Sequence, residues 1–257
     1  MLPETTPLNR RGGAASVSVT VPFFACLILT LLQAPGLFAE QQTRLPLKTH
    51  GASQVIGTVW AVGKRPPLLR LPVFKNMDYC GASVPDRSLL VDHKGRLQAA
   101  AVILEPLGQQ VAITLEQFVL DNLDCAFTPR VQIVPAGSSV VLKNSDPILH
   151  AVHARLGKDT LFNVGLPRWR QVTQVLKKPG VVAIDCDVLH TWMRASVVVT
   201  LSPYFGLTDK RGYFHIESVP AGLYDLVVWH EILGWKRTRI KVPTANSLVL
   251  DVMYAMK

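Results

Sequence analysis

The sequence predicts an all-β protein. Its apolar stretches are short, rich in β-branched residues and bounded by Gly, Pro, Asn or Asp, whereas helical periodicity is scarce. Many short strands with turn residues between them are typical of an antiparallel sandwich or barrel. The predicted strands are 54–62, 98–104, 131–134, 139–142, 148–154, 180–185, 195–201, 213–216, 223–228, 237–242 and 247–253. We expect one short helix at 115–123 and an irregular or part-helical segment at 161–170.

The composition excludes several classes of protein. Of the 257 residues, 49% are apolar and 18% are charged, which excludes intrinsic disorder. A single stretch is apolar enough to consider as a membrane span, which excludes a multi-pass membrane protein. The four cysteines are too few for a disulfide scaffold. No nucleic-acid module is recognisable, so we expect no nucleic-acid partner despite the net charge of +9.

The N-terminus has the pattern of a secretory signal peptide. Arg10 and Arg11 precede an uncharged stretch, 12–39, which ends at the small residue Ala39. We therefore predict a signal peptide over residues 1–39 and a periplasmic or secreted protein. The alternative is an uncleaved membrane anchor, because the stretch is long enough to span a bilayer. Cleavage would leave 25 basic and 17 acidic residues, a net charge of +8, and three cysteines.

The exported part is predicted to contain two domains, 40–201 and 202–257. The second has a tight turn at 208–212, after which Phe214 and Ile216 lie on one face of a strand. With about 56 residues, it is small for an independent sandwich. We therefore expect it to pack on the first domain or to borrow a strand from it.

One loop carries the residues with recognisable chemistry. Cys186, His190 and Met193 lie within eight residues, as C-x3-H-x2-M, between two predicted strands, and His150 lies upstream. Two imidazoles, a thiolate and a weak thioether suit copper that alternates between Cu(I) and Cu(II). Zinc would accept the cysteine and both histidines but would gain little from the thioether. The alternative is that Cys186 is a disulfide partner, His190 a surface residue and Met193 a core residue.

The upstream imidazole could come from either of two histidines. His150 and His153 lie three positions apart on a predicted strand, so they point to opposite faces and one alone can face the loop. His150 follows the turn Asn-Ser-Asp-Pro at 144–147, and we therefore prefer it. Trp192 is expected to shield the metal from water.

The remaining cysteines suggest a disulfide. Three cysteines in an oxidising compartment are most simply divided into one pair and one thiol. Cys80 and Cys125 both lie in loop-like sequence, so we predict that they are bridged and that Cys186 is free. The alternatives are that both are free, or that one of them pairs with Cys186.

Residues 131–200 resemble the cupredoxins, the small copper sandwiches that include plastocyanin and azurin. The matching residues are His150, Cys186, His190 and Met193. The resemblance implies a cupredoxin-like Greek-key β-sandwich in which these four side chains bind copper. Three residues separate Cys186 from His190, and two separate His190 from Met193. This spacing differs from that of the common cupredoxin carriers and resembles the C-terminal half of the binuclear copper loop of cytochrome oxidase. That loop has a second cysteine four positions earlier, where this chain has Val182, so the resemblance implies one copper ion.

The C-terminal segment resembles the carboxypeptidase regulatory-like domains, which are small transthyretin-type or Ig-like sandwiches. The matching residues are Thr208, Asp209, Gly212, Tyr213, Phe214, Val219, Pro220, Ala221, Gly222, Tyr224, Trp229, His230 and Glu231. These are mostly turn and core positions, so the resemblance concerns the fold more than the function. His230 and Glu231 have no third partner in the sequence, and we expect them to be structural.

The predicted function is one-electron transfer by an exported mononuclear copper protein that is not an enzyme. Basic residues cluster between the two ligand segments and would attract an acidic redox partner such as a c-type cytochrome, unless they are an ordinary solvated face. They are Arg155, Lys158, Arg168, Arg170, Lys177 and Lys178. Three alternatives remain. The chain could be a non-redox carbohydrate- or complex-binding module with a vestigial copper site, a copper chaperone, or a copper enzyme with an open coordination position.

Overall fold

A computed structural model describes residues 52–108, 111–244 and 246–256, and this part of the chain is almost entirely β-structure. Its strands are β1 (Ser53–Val62), β2 (Arg70–Pro72), β3 (Ser83–Pro85), β4 (Ala101–Pro106), β5 (Gln117–Leu123), β6 (Ala126–Thr128), β7 (Val131–Pro135), β8 (Ser139–Asn144), β9 (His150–Leu156), β10 (Asp159–Leu166), β11 (Gln171–Val175), β12 (Gly180–Asp185), β13 (Arg194–Thr200), β14 (Phe205–Leu207), β15 (Tyr213–Val219), β16 (Gly222–His230), β17 (Gly234–Val242) and β18 (Leu248–Ala255). A helical turn, α1 (Met77–Cys80), lies between β2 and β3. The predicted all-β class is confirmed.

The predicted signal peptide, residues 1–39, lies outside the described residues. Within the described ranges, no helix has the length and apolar character needed to cross a membrane.

The first sandwich consists of a five-stranded and a four-stranded sheet. The strand orders are β10-β9-β12-β13-β7 and β11-β8-β5-β6. Buried side chains from both sheets form one core, to which β8 contributes Val140 and Leu142 and β13 contributes Val197 and Val199. These pairs lie two positions apart because alternate side chains of a strand face the same side.

The second sandwich is assembled from both ends of the described chain. Its two sheets have the strand orders β14-β4-β16-β17 and β15-β1-β18. Residues 202–257 are therefore not the whole of this sandwich, because β1 and β4 precede the first sandwich in the sequence. A Cβ atom on Gly57 of β1 would collide with the carbonyl of Leu250, so glycine permits the close parallel pairing of β1 with β18.

The two sandwiches share an apolar interface. Val102 and Leu104 of β4 face the core of the second sandwich, whereas Ala101 and Ile103 face a separate buried cluster with Val198 of β13. Strand β4 is therefore buried on both faces from Ala101 to Leu104, which explains why these four residues are all apolar.

Two sequence expectations about local structure are wrong. The segment 115–123 contains β5 rather than a helix, and β5 lies parallel to β8 and antiparallel to β6. Residues 161–166 belong to β10, which pairs with β9 and has a bulge between Thr160 and Phe162, so the expectation is wrong there, whereas 167–170 form an irregular turn. Both segments lack a clear period, so pairing with neighbouring strands of the sheet decided their structure.

The predicted disulfide between Cys80 and Cys125 is confirmed, and Cys186 is free and buried. The bond links residues 45 apart in the sequence. In the chain-entropy account, closing a loop of this length stabilises the folded protein by roughly 3–4 kcal/mol.

His230 and Glu231 make hydrogen bonds that stabilise the fold. Glu231 accepts two hydrogen bonds from the Arg130 guanidinium, at 2.6 and 2.8 Å, and so joins the second sandwich to the first. The buried His230 accepts the backbone N–H of Ile232 on its Nδ1, at 3.2 Å. His230 therefore stabilises the turn between β16 and β17, and Glu231 links this turn to Arg130 of the first sandwich.

The burial of His230 predicts a loss of stability in mild acid. Burial, aided by the charge of Arg130, lowers the pKa of His230 from 6.5 to about 4. The unfolded chain therefore binds a proton that the folded chain excludes, so stability is full above pH 6.5 and falls between pH 6.5 and 4. We expect His230 to account for a loss of about 2 kcal/mol between pH 8 and pH 5.

Urea unfolding at both pH values tests this with His230→Asn, whose side-chain oxygen can still accept the Ile232 N–H. The variant should lose less stability than the wild type between pH 8 and pH 5. An equal loss in the two proteins would contradict the prediction.

Candidate metal centre

Three buried side chains converge at one end of the first sandwich. The nearest nitrogen and sulfur atoms of His150, Cys186 and His190 all lie within 4.8 Å of one another. The Nδ1 atoms of the two histidines are 3.1 Å apart. The Cys186 sulfur lies 3.8 Å from His150 Nδ1 and 3.6 Å from His190 Nδ1. In the described part of the chain, this is the one group of three or more His, Cys, Asp or Glu side chains with such spacing.

The strands bring the three side chains together. His150 is the first residue of β9, and Cys186 directly follows β12, which is paired with β9. His190 lies in the loop between β12 and β13, and its carbonyl accepts the amide of Met193 at 2.8 Å. The amide of Ala151 donates to the Cys186 sulfur at 3.3 Å, which fixes the sulfur beside His150.

The outer nitrogen of each histidine is held by an oxygen acceptor. His150 Nε2 lies 2.9 Å from Asp146 Oδ2, and His190 Nε2 lies 2.9 Å from Asn76 Oδ1. An acceptor at Nε2 places the proton on that nitrogen and leaves the Nδ1 lone pair free to bind a metal. Two Nδ1 lone pairs and a thiol sulfur therefore point into the same buried space, and this donor set fits copper.

The charges of the site favour a thiolate. Burial alone would raise the pKa of Cys186, but in the metal-free protein, where an Nδ1 can also carry a proton that a metal would displace, hydrogen bonds from His150, His190 and backbone amides lower it to about 6. Burial likewise opposes the charged form of His150, yet its hydrogen bonds to Asp146 and Cys186 raise its pKa above 6.5. The thiolate, rather than the thiol, is the form of cysteine that binds metals.

Asp146 is the buried acid behind His150. Burial would raise the pKa of Asp146, but four donors lower it below its ordinary value. The side chain of His150 and the amide of Cys125 donate to Oδ2, each at 2.9 Å, while the hydroxyl of Tyr79 and the amide of Asp124 donate to Oδ1, at 3.0 and 2.8 Å. Every lone-pair direction of this carboxylate is therefore used.

Met193 and Trp192 lie in the same buried region. Both belong to the core cluster that contains Cys186. The Trp192 ring is tilted against the His190 ring, with centroids 5.0 Å apart, and its Nε1–H donates to the Cys125 carbonyl at 3.0 Å. Trp192 thus covers His190 on one side, and Met193 remains a predicted ligand.

His153 lies outside the cluster. Its Nδ1 is 2.9 Å from Asp187 Oδ2 and its Nε2 is 2.9 Å from the Thr160 hydroxyl. Asp187 also accepts the side-chain amide of Asn163 at 2.7 Å. His153 therefore ties the loop that follows Cys186 to the neighbouring strands.

Part of the positive charge near the ligand loop is balanced. Arg155 and Arg194 both contact Asp185, which directly precedes Cys186. Of the residues in the predicted basic rim, Arg155 therefore also holds the end of β12 next to Cys186, whereas Lys177 and Lys178 precede the opposite end of this strand.

Sequence reasoning missed Asp146 and Asn76. Asp146 lies four residues before His150, and an acid at that distance from a proposed ligand histidine was a usable signal. Asn76 lies 114 residues from His190. Nothing in the local sequence indicates that Asn76 contacts His190.

Parts of this fold are similar to solved cupredoxin structures. A purple cupredoxin from Nitrosopumilus maritimus is 22% identical over 33% of this chain and 98% of its own, with a TM-score of 0.29. A reduced amicyanin variant is 19% identical over 39% of this chain and 98% of its own, with a TM-score of 0.30. The likeness to these small proteins is one of fold.

A copper-containing nitrite reductase from Thermus scotoductus is also similar. It is 22% identical over 37% of this chain, with a TM-score of 0.31, and this chain spans 26% of its length. The sequence matches no protein-family profile and none of the curated proteins.

Proposed function

We propose that this chain is an exported copper protein that transfers single electrons. The observation that carries the proposal is the convergence of His150 Nδ1, His190 Nδ1 and Cys186 Sγ in a buried space, with each Nε2 held from outside. Copper bound there would supply a Cu(I)/Cu(II) couple, for which thiolate and imidazole are matched donors.

The protein side chains would keep the donor geometry the same in both oxidation states. Asp146 and Asn76 fix the two imidazole rings, and the Ala151 amide fixes the Cys186 sulfur. Trp192 excludes water from one side of His190. A fixed and dry site lowers the rearrangement that accompanies electron transfer, which is what a carrier requires.

Met193 is proposed as a weak fourth ligand. Met193→Leu keeps a buried side chain of similar volume but removes the sulfur. We expect the variant to bind one copper ion and to show a shifted reduction potential, because an axial thioether tunes the potential more than the affinity. Metal content and voltammetry measure the two effects separately. Complete loss of copper would mean that Met193 is a strong ligand.

The proposed partner is an acidic redox protein such as a c-type cytochrome. Exposed Arg168 and Arg170 follow β10 at the end of the sheet where β9 begins with His150, and they would attract an acidic surface and raise the association rate at low salt. With four protein donors, the site offers no open position for a substrate, and we therefore propose a carrier rather than an enzyme.

The proposal is tested on the exported chain purified without metal and loaded with Cu(II). We expect one copper per chain, an intense thiolate-to-copper absorption band, a reversible redox couple and no spectral change on adding azide. Copper bound without a reversible couple would favour a non-redox binding module. A spectral change with azide would reveal an exchangeable position and favour an enzyme.

A further inference from the structure

Residues 70–85 fold over the metal centre, and we call this segment the cap. It consists of the paired strands β2 and β3 with α1 between them. His190, which the cap contacts, has no exposed surface. The cap is therefore part of what separates this proposed ligand from solvent.

Asn76 of the cap contacts the proposed ligand directly. Its Oδ1 lies 2.9 Å from His190 Nε2. Asn76 also precedes α1 in a left-handed conformation, with φ of 55°, and its side chain makes no capping hydrogen bond to the helix. The side-chain amide is thus free to serve His190, and asparagine is among the few residues that tolerate this backbone conformation.

The cap is fastened next to the same centre. Cys80 at the end of α1 is bonded to Cys125, and the Tyr79 hydroxyl donates to Asp146 at 3.0 Å. Cys125 in turn donates its amide to Asp146 and accepts the Trp192 indole N–H. The disulfide therefore joins the cap to the two side chains that lie behind His150 and against His190.

Besides the disulfide, the hydrogen bonds of Asn76 and Tyr79 and limited apolar packing hold the cap closed. None of the residues of α1 is buried, and Phe74 and Met77 are largely exposed. Val73 is buried in the core of the first sandwich, and Leu71 and Val84 pack against that core while remaining partly exposed. A segment with few buried apolar contacts opens easily by itself, so its closure depends on the covalent bond.

We propose that the cap is a disulfide-latched lid that controls access to His190. Closed, it shields the imidazole and holds its orientation through Asn76; open, it lets metal or solvent reach the ring. The idea that this access serves copper loading rests on the proposed function. Control of the cap by the disulfide does not rest on it, because that control concerns the metal-free chain.

The latch would be opened by a dithiol, either small or part of a protein. One thiolate attacks the Cys80 sulfur, which is less buried than that of Cys125, and the S–S bond breaks to give a mixed disulfide and a Cys125 thiolate. The second thiol of the reagent then displaces Cys80. The protein disulfide gains two electrons and two protons, and the dithiol becomes a disulfide.

The first experiment measures modification of histidines in metal-free protein with diethyl pyrocarbonate, using mass spectrometry. Tryptic cleavage at Arg194 releases a peptide in which His190 is the sole histidine. Opening the bond by the double substitution Cys80→Ser and Cys125→Ser should speed modification of His190 about tenfold or more. Exposed His93 should react at the wild-type rate, and buried His230 should stay protected.

A second variant tests the lid with the disulfide intact. Asn76→Gly removes the side chain, while glycine adopts the positive φ without steric cost. We expect several-fold faster modification of His190, restored protection in Asn76→Asp, which keeps an acceptor oxygen, and an unchanged rate at His93. If the double variant unfolds, as modification of His230 would reveal, this variant still decides the question.

The outcomes separate the two proposals. Wild-type rates at His190 in Asn76→Gly, or in a folded protein with the bond opened, would overturn the lid. Faster modification without any copper binding by the wild type would support the lid and refute the proposed function. If copper binds, its transfer from protein to a Cu(I) chelator should speed up in the same variants and in the same order.

Discussion

We expect Cys186→Ser to abolish the thiolate-to-copper absorption band proposed for the copper-loaded protein. The serine hydroxyl does not ionise near neutral pH, whereas hydrogen bonds from both histidines lower the pKa of the Cys186 thiol to about 6. Without the thiolate, the transition that gives the band its intensity cannot occur. Loss of a residue that hydrogen-bonds a metal ligand lowers metal affinity about 10- to 100-fold. Loss of the ligand itself costs more, so we expect Cys186→Ser to bind copper at least about 100-fold more weakly.

The measurement is a titration with Cu(II) followed by absorption and by competition with a chelator. His153→Ala serves as the control, because His153 contacts Asp187 and lies outside the cluster. It should retain both the band and the affinity. An intact band in Cys186→Ser would refute the proposed ligand set.

The chemistry of the site was readable from the sequence because its main residues are close in the chain. Cys186, His190 and Met193 occupy one loop, and a loop between paired strands brings such residues together. The period of a strand indicated that one of His150 and His153 faces the loop, and the turn before His150 together with the cupredoxin resemblance favoured His150, which the structure places in the cluster. Whether these residues bind copper stays a prediction.

The surroundings of the site could not be read in the same way. Asn76 meets His190 across 114 residues, and Tyr79 meets Asp146 across 67. Such contacts depend on how the cap is fastened, which the local sequence does not encode. The predicted disulfide placed Cys80 and Cys125 together, but it did not indicate that the bond lies beside the metal centre.

The fold was predictable where strands have clear turn signals. All eleven predicted strands coincide with observed strands, from β1 to β18, although their ends differ by several residues. The short strands β2, β3, β6 and β14 were missed because three residues carry no period. The sequence indicated that the C-terminal domain packs on the first or borrows a strand from it, but not that β1 and β4 join it, because β1 pairs with β18 across nearly the whole described chain.

Asp146→Asn should destabilise the protein and weaken copper binding. All four groups that contact this carboxylate are donors in the present arrangement. An amide has one acceptor oxygen, so its NH2 group must face either the pair at Oδ1 or the pair at Oδ2. Each pair includes a backbone N–H, which cannot turn away or become an acceptor.

The backbone N–H groups belong to a turn that depends on the carboxylate. Asp124 and Cys125 both have positive φ, 53° and 57°, in the two-residue turn between β5 and β6. Such a turn favours Asn and Gly, so here it needs external support. Leaving a buried donor unpaired and removing charged hydrogen bonds together cost about 3 kcal/mol.

Copper binding should weaken for a separate reason. The carboxylate of Asp146 fixes the His150 ring and makes its Nδ1 a stronger donor, and loss of such a partner lowers metal affinity about 10- to 100-fold. Urea unfolding of the metal-free protein measures the first effect, and chelator competition measures the second. The weaker copper binding should persist under conditions where the variant is fully folded.

Asp187→Asn is the matched control for Asp146→Asn. Asp187 is next to Cys186 in the sequence and contacts His153, but its side chain is 45% exposed. Water can replace the contacts that this substitution removes, so we expect less than about 1 kcal/mol of destabilisation and unchanged copper affinity. Equal effects of the two substitutions would show that nearby negative charge, rather than the buried hydrogen bonds of Asp146, supports the site.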